Sequence, residues 1–169
     1  FMDTMDGVFS GRSREKMLEI MKDSRVGSNG VLGFVVLMIL EWGLLLDLFV
    51  EPVFLLPAFF VMPIIARLMM TGAIALYPYA REEGMGKAFA KYTDARTVVC
   101  AVVITLLLIL PFGLPAVAAL VVSVLFTAFF ANFVTKKLGG LTGDVYGAIT
   151  TLNEGLVLLS FLVSTAVLR

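Results

Sequence analysis

Long apolar runs alternate with short polar stretches along the whole chain. The apolar runs cover residues 30–50, 53–77, 98–111, 114–134 and 145–168. A helix needs about 20 residues to cross the hydrocarbon core of a bilayer, so only 98–111 is short. That run either extends to Leu114 or forms a tight helical hairpin with the next around Phe112-Gly113-Leu114-Pro115. The pattern predicts an all-α, polytopic membrane helical bundle with about five transmembrane helices. A single membrane domain covers 1–169, with 1–29 as a polar motif segment and 30–168 as the membrane part. The chain carries no internal repeat and no soluble domain.

The polar stretches set the orientation. Residues 1–29 hold Arg12, Arg14, Lys16, Lys22 and Arg25; 78–97 hold Arg81, Lys87, Lys91 and Arg96; 135–146 hold Lys136 and Lys137. These are eleven of the thirteen basic residues, leaving Arg67 and Arg169. Two spans separate each stretch from the next, so all three face one side. The opposite turns, 47–52 and 112–115, contain no Lys or Arg. The positive-inside bias makes the charged side cytoplasmic and puts the C-terminus, with Arg169, on the other side. Within 1–29, Ser13 is an expected N-cap with Glu15 in the first turn. Met17, Ile20, Met21 and Ser24 recur at helical spacing. They predict a short helix that either lies on the membrane surface or packs on other helices.

Composition narrows the chemistry. The chain is 60% hydrophobic with a mean hydropathy of +1.00, more than a soluble core of this size can hide. Net charge is zero, which gives no reason to expect nucleic acid as a partner. Histidine is absent, which excludes Ser-His-Asp and Cys-His catalysis. The lone Cys100 can form neither an intrachain disulfide nor a zinc site. The chain opens Phe1-Met2-Asp3 inside a polar stretch without a signal-peptide pattern, and it is expected to lack its true N-terminus.

Candidate functional residues gather at the charged ends of the spans. Asp3 and Asp6 stand at i and i+3, followed by Gly7. On a helix their carboxylates share one face, which suits either a divalent cation such as Mg²⁺ or two solvated carboxylates. Lys22-Asp23-Ser24-Arg25 and Gly27-Ser28-Asn29-Gly30 combine cations with backbone N–H groups that can meet phosphate, or form an anchored turn. Arg81, after Tyr77-Pro78-Tyr79-Ala80, is a phosphate ligand or an interfacial anchor. Gly139-Gly140-Leu141-Thr142-Gly143-Asp144 leaves a bare backbone, with Thr142 and Gly143 at a helix mouth, that lets a ligand or another helix approach closely. Arg67 and Glu154 lie inside spans, where Arg costs at least ~2.5–3.5 kcal/mol. Each is ten residues from its interface, about 15 Å deep. They suit an ion pair or the floor of a polar cavity. Glu41 is mid-span with no expected partner. Asn132 could line the polar end of the fourth span.

Taken together, these strings resemble the cobalamin synthase family, the adenosylcobinamide-GDP ribazoletransferases. The resemblance rests on Asp3-Thr4-Met5-Asp6-Gly7, Gly11-Arg12-Ser13-Arg14-Glu15 and Glu19-Ile20-Met21-Lys22-Asp23-Ser24-Arg25-Val26-Gly27. Further along it rests on the string from Pro78 to Gly86 and the string from Gly139 to Ala148, in the same order, with Glu154 in the last span. Members of that family carry a further segment before this point, with an acidic Asp-Gly element just ahead of the first string. The segment Ile149-Thr150-Thr151-Leu152-Asn153-Glu154 also departs from some relatives, which leaves its roles open.

The resemblance implies a reaction in which a hydroxyl of α-ribazole, or of its 5′-phosphate, attacks the cobinamide-bound phosphorus of adenosylcobinamide-GDP and GMP leaves. It implies Mg²⁺ held by Asp3, Asp6 and Asp144. Lys22, Arg25 and Arg81 would bind phosphates, and Thr142 and Gly143 would lie at the substrate. Asp23 or Asp144 would act as the base, and Arg67 and Glu154 would shape the cavity floor. The lipid bilayer of a prokaryotic inner membrane is the expected surrounding, and homo-oligomer assembly stays open. The alternatives are a CDP-alcohol-type phosphotransferase, whose Asp-x-x-Asp-Gly-x-x-Ala-Arg run is not continued after Gly7, or a membrane transporter subunit.

Overall fold

A computed structural model describes residues 1–167; Leu168, at the end of the fifth apolar run, and Arg169 lie outside it. Eight α-helices follow one another: α1 (Met2–Val8), α2 (Arg14–Ile20), α3 (Ser28–Phe49), α4 (Pro52–Leu76), α5 (Met85–Tyr92), α6 (Ala95–Ile109), α7 (Gly113–Leu138) and α8 (Gly143–Val167). Helix starts follow local chemistry. Pro52 stands at the first position of α4, where its missing N–H costs nothing. Asp94 caps α6 by accepting the Thr97 N–H at 2.8 Å. Pro57 and Pro63 lie within α4, a placement that membrane helices tolerate.

Four helical stretches among the described residues are long and apolar enough to cross a membrane, one of them running through residues 95–138. Forty-four residues in a straight rod would extend roughly 66 Å, twice a bilayer core. The stretch instead turns back at a 3-10 turn (Leu110–Phe112) and Gly113, whose φ is +69°. Phe112 meets Phe60 at 5.3 Å between ring centroids. Val98 and Val102 at the start of α6 line the same cleft beside α4 as Val124, Thr127 and Ala128 of α7. The stretch is therefore a hairpin of two helices, so that α3, α4, α6, α7 and α8 correspond to the five apolar runs.

The core forms around α8, which packs on α4 most extensively and also on α7, α3, α1 and α5. Small residues allow this close approach: Ala58, Ala66 and Ala73 of α4, and Ala148 and Gly155 of α8, are buried. Asn153, fully buried, donates from Nδ2 to Thr127 Oγ1 at 2.9 Å and ties α8 to α7. The predicted surface helix α2 buries Met17, and Met21 follows it. The Met21 side chain packs over Gly7, where a Cβ would come within 2.2 Å of it. Its apolar face is thus covered by α1, as the packed alternative requires.

Candidate functional site

The polar ends of the helices are sewn together at one junction. After α4 the backbone extends at Tyr77. The Ala80 N–H donates to the Leu141 carbonyl, and the Leu141 N–H donates to the Pro78 carbonyl, each at 2.8 Å. Tyr79 and Leu141 thus form an isolated parallel bridge between the segment after α4 and the segment before α8. Glycine makes this possible. A Cβ at Gly140 would lie 2.5 Å from the Pro78 oxygen and 2.9 Å from the Ala80 nitrogen. Gly139 ends α7 in the left-handed region at φ +75°.

The bridge delivers Arg81 to Asp144. Arg81 Nη2 lies 3.2 Å from Asp144 Oδ2, with the side chains 15% and 29% exposed. Arg81 Nε and Nη2 are buried and donate no hydrogen bond among the described residues; the Nη2 contact has the distance of an ion pair but not the angle of a hydrogen bond. Asp144 stands in the first turn of α8, where the helix dipole favours a carboxylate. Buried Thr142 orders this start: its Oγ1 accepts from the Val145 N–H and donates to Asp144 Oδ2, each at 3.4 Å. Arg81 also opens onto a cavity of about 530 Å³, lined with it by Lys22, Arg14, Leu18, Glu82 and Glu83 among others. That is the size of a small-molecule site.

The N-terminal motifs take a different form. Asp6 is buried, and its oxygens accept the Gly27 N–H at 2.7 Å and the Gly30 N–H at 2.8 Å. It thereby satisfies free backbone donors at the start of α3. The Gly27–Gly30 turn therefore has these two N–H groups committed rather than open to phosphate. Asp23 and Arg25 face each other across an exposed pair, Arg25 Nη2 donating to Asp23 Oδ2 at 2.8 Å. Hydrogen bonds from the Arg25 side chain and backbone hold the Asp23 carboxyl down to about 2, which makes it a weak proton acceptor near neutral pH. Asp3 is half-buried and free of hydrogen bonds and ion pairs among the described residues. Its helix α1 touches α8. No group of three acidic or thiol side chains gathers as a metal centre among the described residues.

Arg67 and Glu154 do not pair. Arg67 is exposed in a groove between α4 and α6 with Ile64, Thr71, Ala101 and Thr105. Glu154 lies close enough to Glu41 of α3 for their charges to interact, and a Cβ at neighbouring Gly155 would sit 3.5 Å from Glu41 Oε1. Arg67 and Glu154 thus meet different neighbours, on α6 and α3 respectively. Asn132 donates to Tyr77 Oη at 3.1 Å and to the Ala128 carbonyl at 2.7 Å at the polar end of α7, as expected.

Sequence reasoning missed two features. The neighbour of Glu41, the like-charged Glu154, comes from another helix, which spacing along one helix cannot show. Arg14 sits in the first turn of α2, where a cation opposes the helix dipole, and that misfit was the available signal.

The family model of cobalamin-5-phosphate synthase matches residues 1–162. Among similar proteins, the adenosylcobinamide-GDP ribazoletransferase of Clostridium acetobutylicum is 35% identical, over 94% of this chain and 63% of its own length. The enzyme of that name from Desulforamulus reducens is 38% identical over 90% of this chain and 61% of its own length. That from Desulfitobacterium hafniense is 39% identical over 94% and 64%. The chain thus spans somewhat less than two thirds of these relatives. No solved structure matches it. With five ordered motifs on one face of a helical bundle and a family match along almost its whole length, this chain belongs to the cobalamin-5-phosphate synthase family.

Proposed function

We propose that the chain forms the membrane-embedded part of a transferase that joins α-ribazole, or its 5′-phosphate, to adenosylcobinamide-GDP and releases GMP. The observation that carries this reading is Arg81: a largely buried guanidinium, ion-paired with Asp144, with no hydrogen bond at Nε or Nη2, in the wall of a 530 Å³ cavity. Such a donor is prepared for phosphate oxygens, which guanidinium engages bidentately. Lys22, on the same cavity, adds a second cation.

A ribose hydroxyl oxygen bonds to the cobinamide-bound phosphorus, and that phosphorus releases its oxygen bridge to GMP. Loose phosphoryl-transfer transition states place most of the catalysis in positioning and charge neutralisation. The hydroxyl proton passes to Asp144, the other candidate base, because Asp23 is committed to Arg25. Arg81 and Lys22 bind the pyrophosphate, and Thr142 and Gly143 keep the α8 mouth close to it. Arg25, committed to Asp23, and Arg67 and Glu154, on separate faces, stand outside this set.

Magnesium belongs to the same proposal. Mg²⁺ is commonly held by one or two carboxylates together with substrate phosphates. Asp3 and Asp144 fit that donor set, whereas Asp6 has its oxygens engaged at α3. Bound there, the ion would neutralise charge on the departing GMP. The positive-inside bias puts this face in the cytoplasm of a prokaryotic inner membrane. A transporter would place its site near the midplane, where Arg67 and Glu154 share no cavity.

The test is GMP release by purified protein given adenosylcobinamide-GDP, α-ribazole and Mg²⁺. No GMP with any divalent ion ends the reading.

A further inference from the structure

The geometry assigns a positioning role to Arg14, which reaches across the junction from α2. Its Nε donates to the Leu138 carbonyl at 2.6 Å, 124 residues away in sequence. Its Nη2 donates to the Ala80 carbonyl at 3.2 Å. One planar group thus clamps both segments that the Tyr79–Leu141 bridge joins, on either side of the bridge itself. The clamp catches the last carbonyl of α7, that of Leu138, just before Gly139, where a Cβ would come within 3.1 Å of Arg14 Nε. It also catches the residue that immediately precedes Arg81.

These carbonyls need a fixed donor. Leu138 ends α7, and its oxygen has no intrahelical partner. Ala80 is buried, and its N–H is already committed to Leu141. A bridge of two hydrogen bonds fixes the two backbones only at one point. A guanidinium donating to each segment beyond that point also fixes their rotation, and rotation decides whether Arg81 meets Asp144. Arginine suits this because its donors are held in one rigid plane; the lysine ammonium offers a single point. The unfavourable place of the cation in the first turn of α2 is thereby explained: its partners are carbonyls of other segments, not the helix that carries it.

Arg14 lines the cavity, but two of its donors are committed to the Leu138 and Ala80 carbonyls, so its role is to position Arg81. The effect on turnover rests on the proposed transfer reaction; the effect on the backbone does not. The experiment uses the purified full chain in detergent as wild type, Arg14→Ala and Arg14→Lys, with two readouts. In amide hydrogen exchange, Arg14→Ala should speed exchange at Ala80 and Leu141 at least tenfold while α8 amides near Val157 stay unchanged. In turnover, kcat should fall about 100-fold, the scale of a misplacement near 1 Å, with KM for α-ribazole within twofold. Arg14→Lys should recover part of both. Faster exchange with an inactive wild type would sink the transfer reading and keep the clamp. Unchanged exchange, or unchanged kcat in an active enzyme, would overturn the clamp. Uniformly faster exchange across α8 would also overturn it, since that is general unfolding.

Discussion

Two regions of this molecule carry the same kinds of residue and put them to opposite use. The 23–30 turn offers a carboxylate, a guanidinium and glycine N–H groups, and the structure engages nearly all of them with one another. Asp6 takes two N–H groups, and Asp23 takes Arg25. The junction of 78–81 with 139–144 offers a carboxylate, a guanidinium and glycines too, but leaves two buried Arg81 nitrogens without a hydrogen bond, one of them only ion-paired with Asp144. Residue type marked both as phosphate sites. Unsatisfied bonding capacity separates them, because a buried donor without a partner is costly unless a ligand completes it.

The contrast can be broken first at Asp144. Asp144→Asn should lower GMP release about 1000-fold, at the upper end for removal of one transition-state contact, while the protein still inserts and elutes as wild type. Arg81→Ala should cost about 100-fold, with Arg81→Lys in between because a point charge replaces a fork. The turn should behave differently. Asp6→Ala should leave the rate per folded protein within a few-fold and lower stability by about 3 kcal/mol, since two charge-assisted bonds to the α3 start are lost. Denaturant titration reads the stability. A rate loss as large as that of Asp144→Asn would return Asp6 to the metal site.

The smallest effect concerns Asp23. Its folded pKa of about 2 lies below the unfolded value near 3.9. The pair therefore contributes stability above pH ~3.9 and loses it as pH falls toward 2. Arg25→Ala should return the Asp23 carboxyl, followed by NMR titration, toward ~3.9 and leave turnover unchanged.

The spans were legible because apolar length is a one-dimensional property. Residues 30–50 and 53–77 became Ser28–Phe49 and Pro52–Leu76. Even the hairpin was readable, from a run too short to cross and the Phe112–Pro115 turn. Side-chain partnership was not. Asp6 lies 21 and 24 residues from its partners, and the bridge between Tyr79 and Leu141 has no local signature. The i, i+3 spacing of Asp3 and Asp6 places two carboxylates on one helix but does not say which is consumed. Matched depth similarly suggested that Arg67 meets Glu154, yet depth fixes one coordinate of three, and rotation about the helix axes sends them to different neighbours.

Arg81 and Asp144 are the pair on which the rest turns. A double-mutant cycle of Arg81→Gln and Asp144→Asn, followed by GMP release, tests whether they work as one unit. The double variant should be no worse than the poorer single variant, because each loses the same constellation. Losses that multiply, or single variants as active as wild type, would contradict it.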